Sequence, residues 1–87
     1  MVMDDSKILE QVAGIVADTV GLDTLTLTPA TTAADVDGWD SLANVQIFVA
    51  IEKRFGIRFR TGEIAAIKNV GELVARIRGR IHDPRTA

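Results

Sequence analysis

The chain has no cysteine, no tyrosine, one tryptophan (Trp39), one histidine (His82) and two prolines. Without cysteine there can be neither a disulfide nor a thiolate metal site, so stability rests on packing, and cysteine pairing says nothing of the redox compartment. The lone histidine sits in the C-terminal tail, which leaves no imidazole beside any serine and excludes a self-activated nucleophile. Gly-rich phosphate loops and His-Glu metal pairs are missing as well. Apolar runs are short: residues 12–20 are interrupted by Gly14, Asp18 and Thr19. Neither a signal peptide nor a membrane span is read there, and the expectation is a cytoplasmic protein that does not engage a membrane.

What is present suits one small helical domain. The 87 residues are 47% hydrophobic, and the apolar ones fall at helical spacing, enough for a chain of this size to fold without staples. Residues 1–87 are read as one domain, folded over about 5–82, with 83–87 as a mobile tail. The net charge of −2 hides a division. Residues 1–52 hold nine acids and the single base Lys7, whereas residues 53–87 hold nine bases and three acids. Such a basic half can mark a nucleic-acid surface. Its arginines are spread out with no tyrosine or second tryptophan for base stacking, so the reading adopted is a solvated helix face and no nucleic-acid partner.

Taken in order, the first helix follows the capping candidates Asp4, Asp5 and Ser6 and runs to about Val20, with Ile8, Leu9, Val12, Ile15, Val16 and Val20 on one face. Residues 21–40 show no sustained period. A connection this long is functional or disordered as a rule, and Leu22, Leu25, Leu27 and Val36 are available to pin it. A helical turn near 33–36, capped by Thr31 or Thr32, is expected, and Gly38 permits a tight approach. The second helix, about 41–55, carries two stripes: Ile47, Phe48, Ile51 and Phe55 for the core, and Leu42, Val45 and Val49 on another side together with Gln46 and Lys53. The second stripe fits a semi-exposed recognition face. Gly56 ends this helix, and residues 57–60 form an extended connector with Ile57 and Phe59 inward. A short third helix after Thr61 holds Ile64, Ala65 and Ile67. Asn69 and Glu72 then open the fourth as a capping box, whose stripe is Val70, Leu73, Val74, Ile77 and Ile81, with Arg76 and Arg80 facing more outward. The fold expected is an all-α four-helix bundle with a short third helix and a long first loop.

The stretch Asp37-Gly38-Trp39-Asp40-Ser41-Leu42 stands where the polar loop meets the most apolar helix. Asp40 is an N-cap type, which puts Ser41 at the first helical position with its hydroxyl toward loop and solvent. The positive end of the helix dipole would favour a phosphate on that oxygen, so the site suits a tethered phosphodiester. Asp37 and Asp40 could instead act as paired carboxylates, in acid/base work or on a divalent cation; a cap and a turn residue account for both, with no metal in the isolated domain. Trp39 has two readings, a partly exposed anchor for a partner or a ring covering the top of the bundle.

Asp40-Ser41-Leu42, opening a helix that ends in Glu52-Lys53-Arg54-Phe55-Gly56-Ile57, resembles the acyl carrier proteins. The similarity runs from about Ile8 to Ile81 and includes Thr31-Thr32-Ala33-Ala34-Asp35-Val36 and Ile67-Lys68-Asn69-Val70-Gly71-Glu72-Leu73. It implies that Ser41 receives 4′-phosphopantetheine from coenzyme A through a phosphopantetheinyl transferase and Mg²⁺, with Asp40 near that metal in the transferase complex. It implies a non-catalytic monomer that holds acyl groups as thioesters and presents them to acyl-loading and acyl-processing enzymes. Trp39, Leu42, Val45, Gln46, Val49 and Lys53 would make the docking face. Carriers of fatty-acid synthesis usually have an acidic second helix; here Ala43, Gln46, Lys53 and Arg54 stand where acids are common, with Glu52 the only acid. Trp39-Asp40-Ser41 also differs from the Gly-Gly-His-Ser of peptidyl carriers. The pattern is similar to stand-alone carriers of specialised pathways such as polyketide, peptide or modified-sugar assembly, the peptidyl type being the less expected, and the pathway is read as fatty-acid, polyketide or other specialised biosynthesis. Two rival readings are an unmodified helical interaction module using the Leu42/Val45/Val49 stripe, and a nucleic-acid binder using Arg76, Arg78, Arg80 and Arg85.

Overall fold

A computed structural model describes residues 4–81. Among them are four α-helices and no strand: α1 (Asp5–Val20), α2 (Ser41–Phe55), α3 (Thr61–Ala66) and α4 (Val70–Ile81). The ends of these helices follow from local chemistry. Asp4 caps α1 by accepting the Lys7 N–H at 2.9 Å, which satisfies one of the donors a helix start leaves open. Gly56 ends α2 at φ +67°, a left-handed conformation that costs a side-chain-bearing residue more. At the start of α4 the Asn69 Oδ1 accepts from the Glu72 N–H at 2.8 Å. The return arm of the expected capping box differs: the Glu72 carboxylate takes the Lys68 N–H at 3.1 Å, one residue earlier than its usual target.

The core is a single apolar cluster drawn from three helices and the connections. Ile8, Val12 and Val16 of α1, Ile47, Phe48 and Ile51 of α2, and Val70, Leu73, Val74 and Ile77 of α4 are buried, as are Leu27, Val36 and Ile57 outside the helices. Burying one such side chain fully contributes roughly 1.5–3 kcal/mol relative to exposure, so these stripes decide the helix arrangement. The Asp5 end of α1 meets the Arg78 end of α4 through an ion pair of 2.8 Å. Gln11 of α1 accepts from Arg54 at the far end of α2, at 2.7 Å. α1 therefore runs antiparallel to α4, and to α2 as well, since Gly38 just ahead of α2 packs against Val20 at the end of α1.

The long first connection is ordered by stitching rather than by regular structure. Pro29 and Thr31 carbonyls accept the first N–H groups of α4, from Gly71 and Val70, each at 2.8 Å. A single 3-10 turn at Ala33–Asp35 follows Thr32, whose N–H donates to the Asp35 carboxylate at 2.9 Å. Leu27 and Val36 are buried and Leu25 packs on the core, but Leu22 is exposed, against the expectation that it helps pin the loop. Residues 57–60 are extended: Ile57 is buried, and Phe59 meets Phe48 edge-to-face at 5.2 Å. α3 stops at Ala66, one residue before Ile67, which follows it as the cap. The outward placement expected for Arg76 and Arg80 is corrected as well. Both reach back to Glu63 of α3 at 2.8 Å, because a largely buried carboxylate on a short helix needs donors and α4 supplies them. The tail expected to be mobile, 83–87 with Arg85, lies outside the described residues, as does His82.

Candidate functional site

The approach to Ser41 is built by close packing. Gly38 holds φ +88°, and a Cβ there would lie 3.3 Å from the Val20 side chain; a larger residue would meet both strain and contact. This brings the loop hard against the end of α1 immediately before α2 begins. Trp39 is half-buried, and its indole N–H donates to the Asn44 Oδ1 at 3.0 Å. The ring is thereby fixed against the top of the bundle and packs on the core. The ring covers the top of the bundle and part of it stays open to solvent, which is compatible with both readings.

Asp40 accepts the Ala43 N–H at 2.9 Å through Oδ1 and caps α2, which leaves Ser41 as the first helical residue, exposed. Asp37 is exposed beside it. Among the described residues no group of three or more His, Cys, Asp or Glu side chains is arranged to hold a metal ion. Leu42, Val45 and Val49 are 68%, 61% and 45% exposed, and Gln46 and Lys53 are exposed too. α2 therefore turns one apolar stripe inward and leaves a second uncovered.

Beside Ser41 lies an open groove of about 520 Å³ between α2 and α3, over the first turns of α4. Trp39, Phe48, Ile64, Ile67, Val70 and Leu73 make it apolar, while Asn44, Lys68 and Asn69 stand among its polar lining residues. Sequence reasoning missed Asn44, which both orients Trp39 and lines the groove. Its signal was a polar residue on the otherwise apolar start of α2.

Glu63 closes the far side of α3. Partial burial pushes its carboxyl up, but hydrogen bonds from Arg80, Arg76 and the Arg60 N–H, together with the Arg80 charge, outweigh this and hold its pKa at about 2. Arg78 pairs with Asp5, so three of the four arginines named for nucleic-acid binding are engaged within the chain.

This arrangement has counterparts. A family model described as a phosphopantetheine attachment site matches residues 10–77. The chain belongs to the acyl carrier protein family. It is 32% identical over 79 residues to an acyl carrier protein of Thermosynechococcus vestitus, covering 91% of this chain and 98% of that one. To the meromycolate extension acyl carrier protein of Mycobacterium tuberculosis it is 29% identical over 77 residues, 88% of this chain and 67% of the relative. The solution structure of a holo acyl carrier protein from Geobacter metallireducens superposes with a TM-score of 0.74 at 34% identity, covering 80% of each chain. As an acyl carrier protein the chain is a carrier without turnover of its own, its cofactor is covalent 4′-phosphopantetheine, and its partners are a phosphopantetheinyl transferase and acyl-processing enzymes. The residues present fit that group: an exposed hydroxyl held at the first position of a capped helix, with an open apolar groove beside it. Family membership favours the carrier over the unmodified module.

Proposed function

We propose that Ser41 is the attachment residue and that the chain carries acyl intermediates of a specialised pathway, of polyketide or similar type, as a monomer in the cytoplasm. The observation that carries this reading is the placement of Ser41. It is exposed, it opens α2 behind the Asp40 cap, and it stands beside the groove. When bound, the arm supplies a terminal thiol that holds an acyl group as a thioester. The residues of the chain do the rest. Asp40 keeps the first turn of α2 closed so that the serine oxygen stays presented outward, and it stands where the transferase's metal would approach. The groove walls, with Trp39 fixed by Asn44, offer apolar shelter to cargo. Leu42, Val45 and Val49, with Gln46 and Lys53 beside them, offer a docking face that loses apolar area to water until a partner covers it. Tethering raises the local concentration of the cargo at whichever enzyme is docked.

The exposed side of α2 carries no acid; Glu52 is half-buried and accepts the Phe59 N–H at 2.9 Å. This supports partners that recognise a largely apolar face rather than the basic patches suited to an acidic helix.

The absence of cysteine gives a clean test. After incubation with coenzyme A, Mg²⁺ and a broad-specificity phosphopantetheinyl transferase, the chain should react with a maleimide at one site, because the arm brings the only thiol. A folded chain that stays unreactive after treatment with several transferases would contradict the proposal and return the unmodified module to consideration.

A further inference from the structure

The outer wall of the groove is α3, a helix of six residues, and isolated helices of that length do not persist in water. None of residues 62–66 is fully buried; Ile64 and, just past the helix, Ile67 pack half-buried against the core. What fastens α3 instead is Glu63, whose side chain is 10% exposed. One carboxylate oxygen receives Arg76 at 2.8 Å, both receive Arg80 at 2.8 Å, and one also accepts the Arg60 N–H at the start of α3 at 3.1 Å. Charge-assisted bonds of this kind are about twice as strong as neutral ones. The Arg80 guanidinium also lies 5.6 Å from the centre of the Phe59 ring, and that ring meets Phe48, which lines the groove. Wall, floor and α4 are thus tied through one polar cluster on the side of α3 away from Ser41.

We propose that Glu63, Arg76 and Arg80 are positioning residues that clamp α3 as the outer wall of the groove, and that this clamp, none of whose members lines the groove, sets the size of the cargo admitted beside Ser41. The size limit rests on the carrier reading; the clamp itself does not. If α3 were held by apolar burial, neutralising Glu63 would leave it in place. With burial this slight, loss of the charge frees the wall while α1, α2 and α4 keep their shared core.

Hydrogen exchange on the unmodified chain tests the clamp directly. In Glu63→Gln and, separately, Arg76→Gln, amides of residues 63–67 should exchange about tenfold faster or more, while those buried in α1 and α4 keep their protection. Arg76→Lys, which retains a charged donor, should restore most of the difference. Unchanged exchange in both variants, or loss of protection throughout the chain in both, would overturn the proposal. A second arm loads straight-chain acyl groups of increasing length and follows the emission of Trp39, the only tryptophan. The longest chain that still changes the emission should be longer in the variants than in the parent; the same limit in all three would overturn the size assignment. Failure to load the arm at all would appear in the mass of the parent and count against the carrier reading alone.

Discussion

Four residues decide most of what happens at this site, and they were not equally visible in the sequence. Ser41 was legible because its neighbours were: an Asp before it and an apolar helix after it fix a helix start by local rules alone. Asp40 carries a stability role that can be separated from any role toward a transferase. Asp40→Ala should lower stability by about 1 kcal/mol through loss of the cap, visible as a lower melting temperature, whereas Asp40→Asn should keep most of it. Asn44 gave only a faint signal, a polar residue on an apolar helix start. Its pairing with Trp39 depends on how the loop folds over the start of α2, which no periodicity encodes. Glu63 was hidden, because Arg76 and Arg80 are far from it in sequence and look like surface residues. Its folded pKa of about 2 against an ordinary 4.5 makes a signed prediction. The unfolded chain binds the proton more readily, so the clamp's contribution is complete above about pH 4.5 and is lost as pH falls toward 2. The stability difference between the parent and Glu63→Gln, about 2 kcal/mol near neutrality, should therefore shrink across that window in denaturant titrations.

At the scale of elements, α1, α2 and α4 were read correctly from their stripes and caps. Hydrophobic spacing reports a helix that packs broadly on a shared core, and these three do. α3 was placed but its end was overrun by one residue, since six residues give too little pattern to mark a boundary and the clamp that holds it is tertiary. The two stripes of α2 make separable predictions. Ile47→Ala, at a fully buried position of the inward stripe, should cost about 2–5 kcal/mol by thermal or denaturant unfolding. Val45→Glu, on the exposed stripe, should change stability by less than about 0.5 kcal/mol. Yet it should raise the KM of a partner enzyme for the loaded chain several-fold, because a carboxylate at the centre of an apolar contact goes unpaired. Equal effects on folding and on transfer would remove the distinction between core and docking face.

For the whole molecule, folding bridges the division of charge along the sequence at one ion pair. The acidic first half and basic second half meet in the Asp5–Arg78 pair, while Arg76 and Arg80 turn to Glu63 within the second half. Charge counting along the chain could not anticipate this, because pairing is set by which helix ends the core brings together. Carrying an acyl group depends, in the proposed function, on one covalent event at one oxygen. The most direct measurement is the intact mass of the chain, beside its Ser41→Ala variant, after treatment with coenzyme A, Mg²⁺ and a phosphopantetheinyl transferase. A gain of one phosphopantetheinyl group is expected in the parent, on the peptide containing Ser41, and none in the variant. A gain that persists in Ser41→Ala, or no gain in a folded parent, would contradict the proposed function.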